Sequence, residues 1–392
     1  MNPHRVVVLS ISVLLTSVAL CSATAQSPSG TSSRGKNGRT PEHKIDDAKR
    51  DAGVEVQSQK PASFERPSGD GTQTVSSALH AAGDNLKLAV DLVVLDAQVL
   101  QQKTGRVAGD LKREDFALSE DGVKQQITHF SQDSLPLSVI LLIDRGGCLD
   151  PFSEKVRHAT REALQRLRPQ DEVALMAFAD NTDLIAGFGH GKDRILEALY
   201  RVPPHDEEAG HCFSGAFLEA ANYMRRAGNP DGRRVIIMIT GITTYFDCLA
   251  VSAEDARMAI LESGSVVCGI VPKTPGQQME NGIMRAAAGI GGLFKAKTSN
   301  LKQLAEETGG EVLIDKPEVL DQTFNQLIDH LRTRYTLGFV STNRKRDGSF
   351  RKLKLELTHP ATNREDRLVV KTKRGYIAAK EIPPPPERPR TR

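Results

Sequence analysis

Residues 137–148 read Leu137-Ser138-Val139-Ile140-Leu141-Leu142-Ile143-Asp144-Arg145-Gly146-Gly147-Cys148. Seven mostly apolar residues run without a charge and stop at an aspartate followed closely by glycines. A run of this length closed by glycine predicts a strand buried on both faces, the kind found in parallel sheets covered by helices. In open parallel sheets ligands sit just beyond the carboxyl ends of the strands. That places Asp144 at a candidate site and makes the loops converging there the ones to examine.

The pattern downstream fits such a sheet. Helical spacing is expected over residues 152–167, with Ser153 able to cap, and again over 194–200, 213–227, 253–263, 300–308 and 317–332. Buried strands are expected at 172–178, 234–240, 265–271 and 311–314, with 183–188 an antiparallel neighbour of the first. Gly309-Gly310 should supply the left-handed stop after residue 308. Alternation of this kind gives a doubly wound, mostly parallel α/β sheet. The flanks differ. Residues 86–134 carry strand density and an Asp121-Gly122 hairpin turn; residues 334–378 read as three strands with an Asp347-Gly348 turn. Three strands are about the minimum for independent stability. The two flanks are therefore expected to pair into one β-sandwich, with residues 135–333 inserted between them.

The remainder of the chain is not core-forming. Residues 1–25 have a short basic start (His4, Arg5), an apolar stretch at 6–20 and a small-x-small Ala23-Thr24-Ala25, which predicts a secretory signal. Its apolar stretch falls short of the ~20 residues of a spanning helix, so no stable membrane span is expected after cleavage. Residues 26–85 are polar and predict a disordered linker. Residues 379–392 form a basic tail with four consecutive prolines, expected to be extended. The mature protein is thus expected to be exported: periplasmic, in the outer envelope, or secreted. A net charge of +3 over 392 residues gives no basic footprint for nucleic acid. Export leaves four cysteines, Cys148, Cys212, Cys248 and Cys268, and an oxidising compartment predicts one or two disulfides.

Residues 105–122, the strand 137–144, the segment 301–313 with Leu304-Ala305-Glu306-Glu307-Thr308-Gly309-Gly310, and Arg334-Tyr335-Thr336-Leu337-Gly338-Phe339 followed by Phe350-Arg351-Lys352-Leu353 together resemble a von Willebrand factor type A domain. In particular, they resemble the VWFA-related proteins described from acidobacteria. The resemblance spans roughly residues 86–378 and implies a protein-binding role. It also implies a divalent cation at the sheet's carboxyl edge, held by Asp-x-Ser-x-Ser, a threonine from a later loop and a second aspartate, because hard Mg²⁺ takes oxygen ligands.

This sequence departs from that motif. Asp144 fits the first position, but Gly146 and Cys148 stand where the serines belong. The threonine loop falls near His211-Cys212-Phe213-Ser214, and Thr240-Gly241-Ile242 lacks the second aspartate. The usual metal site is therefore expected to be lost, with no cofactor in its place. A disulfide from Cys148 to Cys212 or to Cys248 is expected to staple the loops instead, while Cys268, inside a strand, is expected to be core packing. Asp144 is expected to accept backbone N–H bonds from the glycine turn. A partner would dock on the face formed by Asp144, Gly146, Cys148, Cys212, Ser214, Gly241, Thr243 and Thr244. The alternative is a soft-metal or redox site drawn from Cys148, His205, Asp206, His211, Cys212 and Cys248. No Gly-x-Ser-x-Gly elbow, phosphate loop or His-Glu-x-x-His helix occurs; a cysteine nucleophile would need a nearby base, and His211 beside Cys212 suggests one by sequence adjacency alone. The expected function is a non-enzymatic protein-binding or scaffolding protein.

Overall fold

The computed structural model describes residues 92–203, 210–246, 248, 250–272, 298–358 and 367–380. The expected signal peptide and linker, nearly all of the tail, and His205 and Asp206 lie outside these residues. The strands are β1 (Leu92–Gln101), β2 (Phe116–Glu120), β3 (Val123–Gln125), β4 (Ile127–Ser131), β5 (Leu137–Asp144), β6 (Glu172–Phe178), β7 (Thr182–Ala186), β8 (Arg233–Ile239), β9 (Thr244–Phe246), β10 (Val266–Pro272), β11 (Thr298–Asn300), β12 (Val312–Asp315), β13 (Tyr335–Val340), β14 (Phe350–Leu357), β15 (Leu368–Thr372) and β16 (Gly375–Ile377). The helices are α1 (Ser153–Gln165), α2 (Lys192–Leu199), α3 (Phe213–Met224), α4 (Ala253–Ser263), α5 (Leu301–Thr308) and α6 (Leu320–Arg332). No helix among the described residues is long and apolar enough to cross a membrane.

The expected α/β architecture is present. Six strands lie in the order β12-β10-β8-β5-β6-β7, all parallel except β7, which runs antiparallel to β6. Every residue of β5 is buried. Alternation along the strands sends the two sets of side chains to opposite helical layers. Leu137, Val139, Leu141 and Ile143 pack with α1, α2 and α6. Ile140 and Leu142 pack with α3, α4 and α5. Continuing this alternation puts Asp144 on the α3 side. Because β5 has β6 on one side and β8 on the other, its carboxyl end is a point where strand order reverses.

The flanks form two four-stranded sheets, β15-β1-β13-β4 and β16-β14-β2-β3. Each sheet mixes strands from before and after the α/β part, so neither flank completes a sheet alone. A shared core of Leu95, Val99, Phe116, Leu118, Tyr335, Leu337, Phe339 and Leu353 fills the space between them. Tyr335 is held there on both hydrogen-bonding sides: its hydroxyl donates to Ala108 O at 2.9 Å and accepts from Leu111 N–H at 3.0 Å. The hairpin turn at Asp121-Gly122 has both residues at positive φ, 47° and 85°, as the tight turn requires. Helix α1 differs from expectation at its start. Ser153 is its first helical residue and no side chain caps it, because a 3-10 turn, Asp150–Phe152, leads into it directly.

The join between the sandwich and the α/β part is polar. Arg233, at the start of β8, donates to the main-chain oxygens of Leu331, Arg332 and Arg334 and to Thr336 Oγ1, and pairs with Asp96 of β1 at 3.2 Å. Buried Glu311 accepts from His330 Nδ1 at 2.7 Å and from Lys371 Nζ on β15 at 2.8 Å. Burial alone pushes the Glu311 carboxyl up, but hydrogen bonds and charge from His330 and Lys371 outweigh it and hold the group at about 2, below its ordinary 4.5. A depressed carboxyl contributes stability that is complete above the unfolded value and is lost as pH falls towards the folded one. Urea unfolding from pH 6 down to pH 2.5 should therefore show Glu311→Gln losing its disadvantage against the wild type by roughly 2–3 kcal/mol over that range. Parallel pH profiles for the two proteins would rule out Glu311 as a source of acid sensitivity.

Candidate functional site

Asp144 ends β5 and is 3 % exposed. Its carboxylate accepts three hydrogen bonds from three different loops. Gly146 N–H donates to Oδ1 at 2.9 Å, from the turn that follows the strand. Thr240, just after β8, donates its hydroxyl to Oδ2 at 2.6 Å. His211, just before α3, places Nδ1 2.9 Å from both oxygens. The expected bond from the glycine turn is present, and Thr240 and His211 add to it. Such hydrogen bonds to a charged group contribute about 1.5–3 kcal/mol each.

His211, on the loop expected to replace the threonine loop, is the residue whose role the sequence left open. Its ring lies over Gly146, where an added Cβ would meet imidazole atoms at 2.3 and 2.4 Å. The absence of a side chain at the position expected to carry a serine thus makes room for an imidazole. The missing hydroxyl at Gly146 was the available signal, but nothing in the sequence said which group would fill the gap. On its other nitrogen, His211 Nε2 lies 3.4 Å from Cys148 Sγ. Tyr245 closes the side of the ring edge-on, with centroids 5.0 Å apart. Burial, aided by the charges of Asp180, Cys148 and Asp144, pushes the Tyr245 phenol above its ordinary value, against a main-chain hydrogen bond from His211.

The cysteine pairing corrects the expectation. The bridge is Cys212–Cys248, with Cα atoms 5.4 Å apart, and Cys148 is not part of it. Cys212 N–H is tied to Ala179 O after β6, and Ser214 in the first turn of α3 donates to Val251 O at 2.8 Å and accepts from Cys248 N–H at 3.3 Å. These bonds hold Cys248 and Val251 at the start of α3, next to Cys212. Cys148 is instead buried with the α3-side core and faces His211. Gly215 is needed for the bridge, since a Cβ there would meet Cys212 Sγ at 2.6 Å. Closing a loop with a sequence separation of 36 contributes roughly 3–4 kcal/mol on the chain-entropy account. Cys268 is wholly buried in β10, and burial pushes its thiol up to about 11.

The structure brings Asp144, Gly146 and Cys148 together as expected, but mostly beneath the surface. Asp144, Cys148, Ser214, Gly241, Thr243 and Thr244 are buried, so they shape the loops and are not themselves the outer face. Exposed among the described residues of the neighbouring loops are Asp150, Asp180 and Asp183, the last paired with Arg145 at 3.1 Å. A hard divalent cation does not fit these residues. Both oxygens of Asp144 already receive protein donors, Gly146 offers no hydroxyl, and an imidazole fills the space beside it. Among the described residues no three His, Cys, Asp or Glu side chains are arranged to hold a metal. The soft-metal alternative also loses two ligands, because the sulfurs of Cys212 and Cys248 are joined to each other.

Comparison with known proteins places this geometry. Residues 139–243 match the sequence model of the von Willebrand factor type A domain. Similar solved structures include proximal thread matrix protein 1 from the mussel byssus, with TM-score 0.37 and 13% identity over 53% of this chain and 49% of that one. They also include an aerotolerance-related membrane protein from Bacteroides fragilis, with TM-score 0.35 and 12% identity over 50% of this chain and 98% of that one, and the SpRpn10 VWA domain, with TM-score 0.35 and 12% identity over 49% and 95%. The match spans about half the length of the mussel protein. No curated protein matches the chain. The sequence match and the doubly wound sheet agree: the α/β part of this chain carries a von Willebrand factor type A-like domain.

Proposed function

We propose that this is an exported, non-enzymatic protein-binding or scaffolding protein of the VWFA-related kind, and that it docks its partner without a bridging metal ion. The observation that carries this reading is the saturation of Asp144. A cation bridge needs the strand-end carboxylate to face outward with open positions; here Gly146, Thr240 and His211 supply donors to it from within the protein. The partner would meet the exposed carboxylates Asp150, Asp180 and Asp183.

Crosslinking in the native envelope, with the captured proteins identified, tests the reading when repeated in EDTA. Capture unaffected by EDTA supports it; capture abolished by EDTA and restored by Mg²⁺ overturns it. A simpler measurement bears on the same point. A site of millimolar affinity would add about 1.4 kcal/mol at 10 mM Mg²⁺, or some 2–4 °C in Tm for a chain of this size. The expected result is that Mg²⁺ and EDTA leave the melting temperature unchanged.

A further inference from the structure

Asp144, His211 and Cys148 form a line of hydrogen-bonded groups. Asp144 as a carboxylate only accepts, so His211 Nδ1, 2.9 Å away, carries the proton and Nε2 is left as an acceptor. The Cys148 thiol lies 3.4 Å from that Nε2, within reach of a sulfur hydrogen bond. A thiol backed by a base, with the base oriented by a carboxylate, is the arrangement that makes cysteine a nucleophile. Both residues are buried, Cys148 at 6 % exposed and His211 at 7 %. Cys268 provides the contrast, fully buried with its thiol held protonated by that burial.

We propose that Cys148 is a base-activated thiol that exchanges with disulfides. Acyl transfer would need donors converging on an oxyanion, whereas exchange needs only a thiolate in line with an S–S bond and a proton for the leaving sulfur. Cys148 gives its proton to His211 Nε2 and attacks one sulfur. A new S–S bond forms as the old one breaks, and the departing thiolate keeps the electron pair and takes the proton back from Nε2. No other oxidant or reductant is needed. The disulfide comes either from solution or from the Cys212–Cys248 bridge, whose first member follows His211 in the chain. The proposal does not depend on whether the loop face docks a protein.

The test is the rate at which the full chain, with its bridge intact, reacts with 2,2′-dithiodipyridine at pH 6, each thiol being followed by peptide mass. Cys148 in the native protein should react at least about tenfold faster than the thiols of the same chain unfolded in urea, which behave as ordinary thiols with pKa near 8.5. Native Cys268 should stay unmodified. His211→Gln should lower the Cys148 rate at least about tenfold, whereas Cys268→Ser should not change it. Native Cys148 reacting more slowly than the unfolded thiols would overturn the proposal, and this comparison needs no variant to fold. An unchanged rate in a folded His211→Gln protein would overturn it too. Non-reductive digestion after incubation without reagent separates the sources. A Cys148 peptide joined to that of Cys212 or Cys248 identifies the bridge; an intact bridge beside a Cys148 adduct in the reagent arm identifies a disulfide from solution.

Discussion

Gly310→Ala should destabilise the protein by roughly 3–5 kcal/mol, the range reached by substitutions that force buried backbone apart. Gly310 follows the left-handed stop of α5, and an added Cβ would lie 1.9 Å from Val267 O and 3.1 Å from Cys268 Sγ. The obstruction is the backbone of β10, which is itself clamped between β8 and β12 and cannot retreat without breaking a parallel ladder. Its neighbour Gly309 has φ +78°, and a Cβ there would lie 2.6 Å from Thr372 C and 2.7 Å from Lys373 N, so the same turn also presses on β15 of the sandwich. Gly189→Ala is the control: φ is +84° but the space is open, so only the backbone preference, about 1 kcal/mol, should be lost. Urea midpoints of the two variants decide the matter. Equal, small losses would mean that the α5–β12 turn can swing away from β10 and that close packing there contributes little.

Asp144→Ala should cost about 3–5 kcal/mol. The side chain itself is small, and the cost arises from what it leaves behind. Thr240 Oγ1, Gly146 N–H and His211 Nδ1 all lose their acceptor at once, in a place too buried for water to replace every bond, and each orphaned donor costs about 1–3 kcal/mol. Asp144→Asn should cost less, because an amide oxygen still accepts, although its NH₂ then faces a donor. The order wild type, Asn, Ala in urea unfolding would confirm a hub of hydrogen bonds; an Ala variant within about 0.5 kcal/mol of wild type, the ordinary range of a surface change, would show that the three loops hold their places without it.

Much of the fold was legible in residues 137–144 and in the periodicity after them. Helix α4 falls on residues 253–263 as expected, with Ser252 and Asp255 forming a reciprocal cap, and the strand expected at 172–178 is β6. These elements announce themselves because burial on two faces, or on one helical stripe, has to be written into adjacent residues. The start of α1 was less legible. A 3-10 turn can take over the first turn of a helix without any demand on the residue that would otherwise cap it, and here Ser153 is left inside the helix.

The site was half legible. The sequence determined that Asp144 ends the central strand, that hydroxyl groups are missing at Gly146 and Cys148, and that a second aspartate is missing at Gly241, because these are identities at positions along one chain. Only the tertiary structure decided what fills the gap and which sulfurs meet. His211 reaches Asp144 because β5 lies between β6 and β8, which brings the approach to α3 over Gly146. Cys212 meets Cys248 and not Cys148 because Ser214 binds Cys248 and Val251 to the start of α3. Such contacts join residues dozens of positions apart through the packing of whole loops. Their partners are fixed by distance in space, which the order of residues leaves open.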